Sequence, residues 1–296
     1  YRGDYVCRRL LRMDTGTMKV ISLGAGVQST ALLLMSIRGE IERADCAIFA
    51  DTGWEPESVY AHLNRLMAYG RENNFTIHVV KRRDSHGIDR DVLHNIEQYQ
   101  QGGEKWRTGQ PPFYVKNLDG DGTDDGGTLW RQCTKKYKIE PIQSKIRELL
   151  GYKGHQRVKK NAEQWMGITV DEMQRMKGSG VKWLENKYPF IDLRMDRNNC
   201  QKWLDRNWPH PVAKSACIGC PYHSNAMWRD MKANQPAEWN SAVVFDQKLR
   251  KKPYPGVTGS PFLHRSCKPL DEVDLTTAED HGQMSFLDEC EGMCGV

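Results

Sequence analysis

The sequence predicts an α/β fold, a doubly wound and mostly parallel sheet followed by a helical, cysteine-rich C-terminal part. Three observations predict it. Buried, β-branched runs alternate with helix-spaced runs through the first 81 residues, and such alternation needs crossover connections and hence parallel strands. The first strand breaks at a glycine turn that opens straight into a helix, "ISLGAGVQSTALLLM", 21–35. After about residue 195 the chain is rich in Trp, Cys and Pro, with helical spacing and no clear strand.

The elements follow in order. Residues 18–24 (MKVISLG) read as a buried strand, and Gln28 to Arg38 as a helix stopped by Gly39. "DCAIFAD", 45–51, is a second strand. "SVYAHLNRLMAYGREN" carries Val59, Leu63, Leu66 and Met67 on one helical side, and "FTIHVVK", 75–81, is a third strand. Residues 100–129 read as loops. "NLDGDGTDDGGT" resembles a calcium loop but has Thr123 and Asp124 where an acid and a glycine belong, so it reads as a solvated acidic turn. "KYKIEPIQSKIRELLG" is a helix and "AEQWMGITV", 162–170, a fourth strand. Residues 1–17 read as a leader, 18–195 as a nucleotide-binding core and 196–296 as a helical region with a C-x-x-C and a cysteine-bearing tail.

A chain of 296 residues with 39% hydrophobic and 27% charged residues is an ordinary globular one, with room for one large domain or a main domain and a smaller one. Apolar runs no longer than Ala31 to Met35 cannot cross a bilayer, and no signal-peptide order appears. The expectation is a cytoplasmic protein with no membrane partner. Nine cysteines, an odd number, argue against a disulfide framework and for metal or redox chemistry. The net charge of +5 is mild and suits a phosphate-bearing partner without requiring one.

A strand that turns through glycines into a helix surrounds an anion with backbone N–H groups and the positive end of the helix dipole. Ser29 and Thr30 can add hydroxyl donors. The loop has Gln28 where a Walker loop has lysine, and Ser29 in place of the third glycine of the dinucleotide pattern. "FADTGWEPES" puts Asp51, Thr52, Gly53, Glu55 and Glu57 just after the second strand, facing the same crevice. Acids there suit a divalent metal or a ribose hydroxyl; the plainer alternative is a polar loop with an acid at a helix N-terminus.

In these residues the chain resembles the adenine-nucleotide alpha-hydrolase (pyrophosphate-loop) superfamily, in its phosphoadenosine phosphosulfate (PAPS) reductase-like branch. "GAGVQST" aligns with the S-G-G-x-D-S loop: Gly24 stands for the first serine, Ala25 and Gly26 for the glycines, Gln28 for the aspartate and Ser29 for the last serine. "DTGWEPES", "RQCTKKYKIEPI", "GITVDEMQRM" and "YPFIDL" are similar to four further segments of that branch, in order. The resemblance implies a HUP-like sheet with a nucleotide held by Ser22, Gly24, Ala25, Gly26, Val27, Gln28, Ser29, Thr30, Asp51, Thr52, Gly53 and Glu57. Arg131, Lys135 and Lys136 are phosphate candidates, and helical spacing puts Arg131, Lys135 and Lys138 on one face. Arg175 is carried over as an anion contact, and Lys214 is a weaker one.

Cys133 followed by the Cys217-x-x-Cys220 pair resembles the cluster-bearing members, where a 4Fe-4S cluster lies beside the nucleotide. These three cysteines are the candidates for both metal and chemistry, with Cys200 a fourth ligand. Structural zinc, with His223 as a candidate ligand, and free redox thiols remain as alternatives. Cys290 and Cys294 could deliver sulfur from the tail. Cys7, Cys46 and Cys267 read as incidental, Cys46 as core. The tryptophans (Trp165, Trp183, Trp203, Trp208 and Trp228) read as packing rather than base-stacking residues.

Two chemistries follow. With ATP and Mg²⁺, an adenylating sulfurtransferase would thiolate a nucleotide or nucleic acid, tRNA or DNA, with a cysteine desulfurase or other sulfur donor. A cysteine could instead attack the sulfur of PAPS or APS and release sulfite. A non-catalytic nucleotide- and metal-binding subunit of a modification or defence complex is a third reading. A homodimer is compatible with all three.

Overall fold

β1 (Met18–Leu23) alternates its side chains between two buried faces. The structure, a computed structural model, describes residues 16–101, 109–116, 127–212, 214–251, 254, 257, 259–277 and 280. Residues 1–15 with Cys7, the acidic stretch 117–126 and the tail cysteines Cys290 and Cys294 lie outside the described residues.

α1 (Val27–Arg38) is apolar nearly all round and is buried accordingly. Gly39 ends it at φ 75°, and the Glu40 N–H returns to the Met35 carbonyl, a turn that glycine adopts without a Cβ penalty. β2 (Cys46–Asp51) is buried throughout. Ala47 and Phe49 point to the face covered by α1, while Cys46, Ile48 and Ala50 point to the other. α2 (Glu57–Glu72), β3 (Thr76–Lys81) and α3 (Ile88–Gln100) follow. Two short strands, β4 (Tyr114–Lys116) and β5 (Gly127–Thr128), lie within the span expected to be loop.

A π-helical segment, Thr134–Ile139, leads into α4 (Glu140–Leu149), which covers the second face with Ile142 and Ile146. β6 (Ala162–Met166) is shorter than expected, and a 3-10 segment, Val170–Arg175, follows it. β7 (Leu184–Lys187), α5 (Pro189–Asp192) and α6 (Arg197–Asn207) complete this layer. α6 packs on α1 through Cys200 and Leu204. Cutting a fully buried core residue such as Leu33 to Ala would cost about 2–5 kcal/mol.

The main sheet has the order β3-β2-β1-β6-β7, all parallel. The chain winds outward from β1 to β3, then crosses to the other side of β1. The reversal falls between β1 and β6, and in open sheets that is where a ligand crevice forms. The α/β class and the doubly wound parallel sheet are as the alternation of runs predicts.

α7 (Asn225–Asn234) and α8 (Pro236–Arg250) pack with α3, Trp54, Phe113 and Tyr137 in a separate apolar cluster. β8 (Ser260–Phe262) joins β4 and β5 in a small antiparallel sheet of order β5-β4-β8. Among its described residues the C-terminal part is therefore helical with one strand, a correction to the strandless expectation. "SPF" is too short and too proline-bound to carry an alternation signal. Among the described residues, no helix is long and apolar enough to cross a membrane.

Candidate nucleotide and thiol site

The glycine loop sits at the carboxyl end of β1, between β2 and β6. The Gly24 N–H donates to Ser29 Oγ at 3.2 Å, and Ser29 Oγ–H donates to the Gly26 carbonyl at 3.2 Å. Ala25 takes φ 57°, a left-handed conformation that costs a non-glycine residue about 1–3 kcal/mol. No side chain caps α1 and its first turn holds no acid, so its amide end is suited to an anion. Gly167 lets the end of β6 approach this turn: a Cβ there would lie 2.9 Å from the Ser29 nitrogen.

A cleft opens over this point. Ser22, Gly24, Gly26, Val27, Gln28 and Ser29 line it. Gln164, Glu172, Arg175, Arg197 and Lys214 also line it, and Phe49, Ile142 and Met166 are among its apolar lining. Gln28 accepts from Arg197 Nη1 at 3.4 Å. A neutral amide, not a carboxylate, thus faces any anion in the cleft. Glu172 is 4% exposed and ion-paired with Arg175 through one oxygen, while its Oε1 has no partner. His223 donates from Nε2 to the Cys217 carbonyl at 2.9 Å, and its Nδ1 has no partner. Burial pulls the His223 pKa down to about 4, with Lys214 adding to the effect, so the ring is neutral. Buried polar atoms without partners are uncommon in folded proteins, and these two line one cleft.

Beside it lies an almost wholly apolar pocket. Cys133, Cys217 and Cys220 line it together, with Thr52, Trp54 and Arg131. Arg131 stacks over the Tyr222 ring at 5.9 Å. Thr134, Lys138 and Tyr222 line both cavities and form their common wall. Cys217 Sγ donates to Glu55 Oε1 at 3.4 Å and touches Thr52 Oγ1 at 3.3 Å. Burial, then the Glu55 charge, pushes the Cys217 thiol well above its ordinary pKa, and Lys138 opposes the shift.

Several expected residues are placed elsewhere. Asp51 does not reach the cleft: its oxygens accept from the Gly53 N–H at 2.7 Å, Tyr60 at 2.8 Å and Lys81 at 2.9 Å. Thr30 turns into the core, 3.0 Å from His62 Nε2. Glu57 is an exposed acid in the first turn of α2, the plainer alternative for this loop. Gly53, at φ 75°, serves a close approach to Gly87, 2.7 Å from where its Cβ would be. Ala25 is buried behind the loop.

Lys135 is exposed and Lys136 pairs with Glu140 at 2.9 Å. The π-helical turn explains the misplacement: it shifts the register, so Thr134 and Lys138 face the cavities while Lys135 turns to solvent, and Arg131, which precedes the turn, lines the thiol pocket. Cys200 is fully buried between α6 and α1, its thiol pushed up to about 12 by burial, and it is not in the thiol pocket. It is core, not a fourth ligand. Cys46 is core as expected, also pushed up to about 12 by burial.

Gln164, Glu172 and Arg197 were missed by sequence reasoning. Glu172 lies in the segment already singled out for Arg175, three residues away.

No family model matches this sequence, and no curated protein does. One solved structure similar to it is the phosphate complex of phosphoadenylyl-sulfate (PAPS) reductase from Candida auris. The identity is 15%, over 68% of this chain and 76% of that chain, with a TM-score of 0.40. At that identity and score the likeness carries no weight. The fold and the site stand on the strand order and the cavity linings above.

Three thiols on one apolar wall suit a soft metal or an iron–sulfur cluster in donor type. They are not gathered at ligand distance: among the described residues, no three His, Cys, Asp or Glu side chains stand close enough to hold a metal ion.

Proposed function

We propose that the chain is an ATP-dependent, adenylating sulfurtransferase of the PAPS reductase-like kind, acting on a nucleotide or nucleic-acid acceptor. One observation carries the reading: the anion cleft and the three-thiol pocket share the wall of Thr134, Lys138 and Tyr222. A nucleotide in the first cavity would be separated from sulfur in the second only by these three residues.

The α1 amides, Gly24, Gly26 and Ser29 would cradle the phosphates, while Arg175, Arg197 and Lys214 balance their charge. Lys138 would stand over the bond that breaks. An acceptor oxygen attacks the α-phosphorus and pyrophosphate leaves. Sulfide-level sulfur from a donor protein then displaces AMP, which departs with that oxygen, so no electrons are gained or lost. Cys133, Cys217 and Cys220 have the donor chemistry of an iron–sulfur site and would have to close in from the positions they take here to hold a cluster, which would supply sulfur chemistry at this wall. Mg²⁺ would ride on the phosphates.

Pyrophosphate release tests the reading, with ATP, Mg²⁺ and tRNA, DNA or free nucleobases as acceptors. Acceptor-dependent release, with iron and sulfide counted in the anaerobic protein, is the expected result. Sulfite released from PAPS or APS would replace it with the reductase reading. Nucleotide binding without turnover on any acceptor would leave a binding subunit.

A further inference from the structure

We infer that Trp54 is a positioning residue for the Cys217–Cys220 turn, clamping it against β2 and α8. The inference shares with the proposed function only the premise that these two thiols are the chemical ones.

The clamp is built from one short segment after β2. Gly53, at φ 75°, turns the chain tightly against Gly87 and sends Trp54 toward the C-x-x-C. The Trp54 carbonyl accepts from the Ile218 N–H at 2.9 Å. Its ring lies on Gly219, where a Cβ would be 2.1 Å from Trp54 Cη2. Glycine is thus required in this turn by the ring that covers it. The far side of the ring is fixed too: Nε1 donates to Ser241 Oγ at 3.1 Å, and Phe245 stacks tilted at 4.7 Å. On either side of Trp54, Thr52 and Glu55 touch the Cys217 sulfur. The segment therefore holds the turn by its backbone, its ring and two side chains, and the ring anchors that grip to α8. Without it the turn loses the surface it is pressed against, while the sheet core does not.

The test is the alkylation rate of each cysteine by iodoacetamide, read by peptide mass spectrometry on the full chain as isolated, without nucleotide. Trp54→Ala is expected to speed Cys217 and Cys220 by about tenfold, with Cys46 and Cys200 as protected as in the wild type. Trp54→Phe, which keeps a ring over Gly219, should restore rates to within about threefold. Where the isolated chain carries metal on these thiols, the rate at which a chelator strips it replaces alkylation and must rise in the same way. Gly219→Ala should speed both thiols in the wild type and add nothing in Trp54→Ala, because the clash partner is gone. Unchanged rates at Cys217 and Cys220 in Trp54→Ala would overturn the inference. So would Cys46 and Cys200 opening in step, which marks a general structural role. Neither result depends on ATP turnover, so failure here is distinct from failure of the proposed activity.

Discussion

At Gly167 the hydrogen that stands in for a side chain sets how closely β6 can approach the phosphate loop. A methyl there would press on the backbone of Gln28 and Ser29, which cannot swing aside as a flexible side chain could. Gly167→Ala should therefore cost about 1–3 kcal/mol in urea unfolding and weaken ATP binding measured by calorimetry. An unchanged ATP affinity would separate this turn from the ligand. Residue-scale reading of the sequence found the loop because its glycine turn between strand and helix coincides with a polar segment directly after the next buried strand. It misjudged Asp51, Thr30 and Glu57 because position along the chain does not say which way a side chain turns. Lys81 and Tyr60 claim Asp51, and His62 claims Thr30.

Among the elements, the π-helical turn Thr134–Ile139 decides which lysine matters. It puts Lys138 on the shared wall and leaves Lys135 in solvent. Lys138→Ala should lower ATP affinity or turnover by about tenfold or more, against less than about twofold for Lys135→Ala. Equal effects in a titration of the two variants would restore the α-helical register. Strands β1, β2 and β3 were legible because they are apolar or β-branched and run six residues each. β7 reads LENK and β8 SPF, too polar or too short to stand out. α3 went unread although Ile88, Val92 and Ile96 are spaced four apart and share its buried side. The π-turn has no sequence signal comparable to a glycine or proline.

For the whole molecule, three buried histidines couple stability to pH. Burial holds His62, His223 and His264 at about 4, below the free value of 6.5. Each takes up a proton more readily when unfolded, so the folded state loses stability as pH falls from about 6.5 toward 4. Above that window the three contribute no pH slope. Chemical unfolding at pH 7 and pH 5 should show a loss of about 1 kcal/mol or more per histidine, reduced by His62→Gln and His264→Gln. A flat profile would place these rings in contact with water. The doubly wound architecture was legible from the alternation of strand and helix. The small sheet was not, because its strands are only two or three residues long and β8 pairs with β4 across more than 100 residues.

The juxtaposition of nucleotide cleft and thiol pocket is tested most directly with an adenosine nucleotide analogue carrying a haloacetyl group on its α-phosphate, the reacting end. After binding and digestion, the label should lie on Cys133, Cys217 or Cys220, and excess ATP should suppress it. Label confined to Cys267, or analogue that binds and leaves all three thiols untouched, would contradict the account.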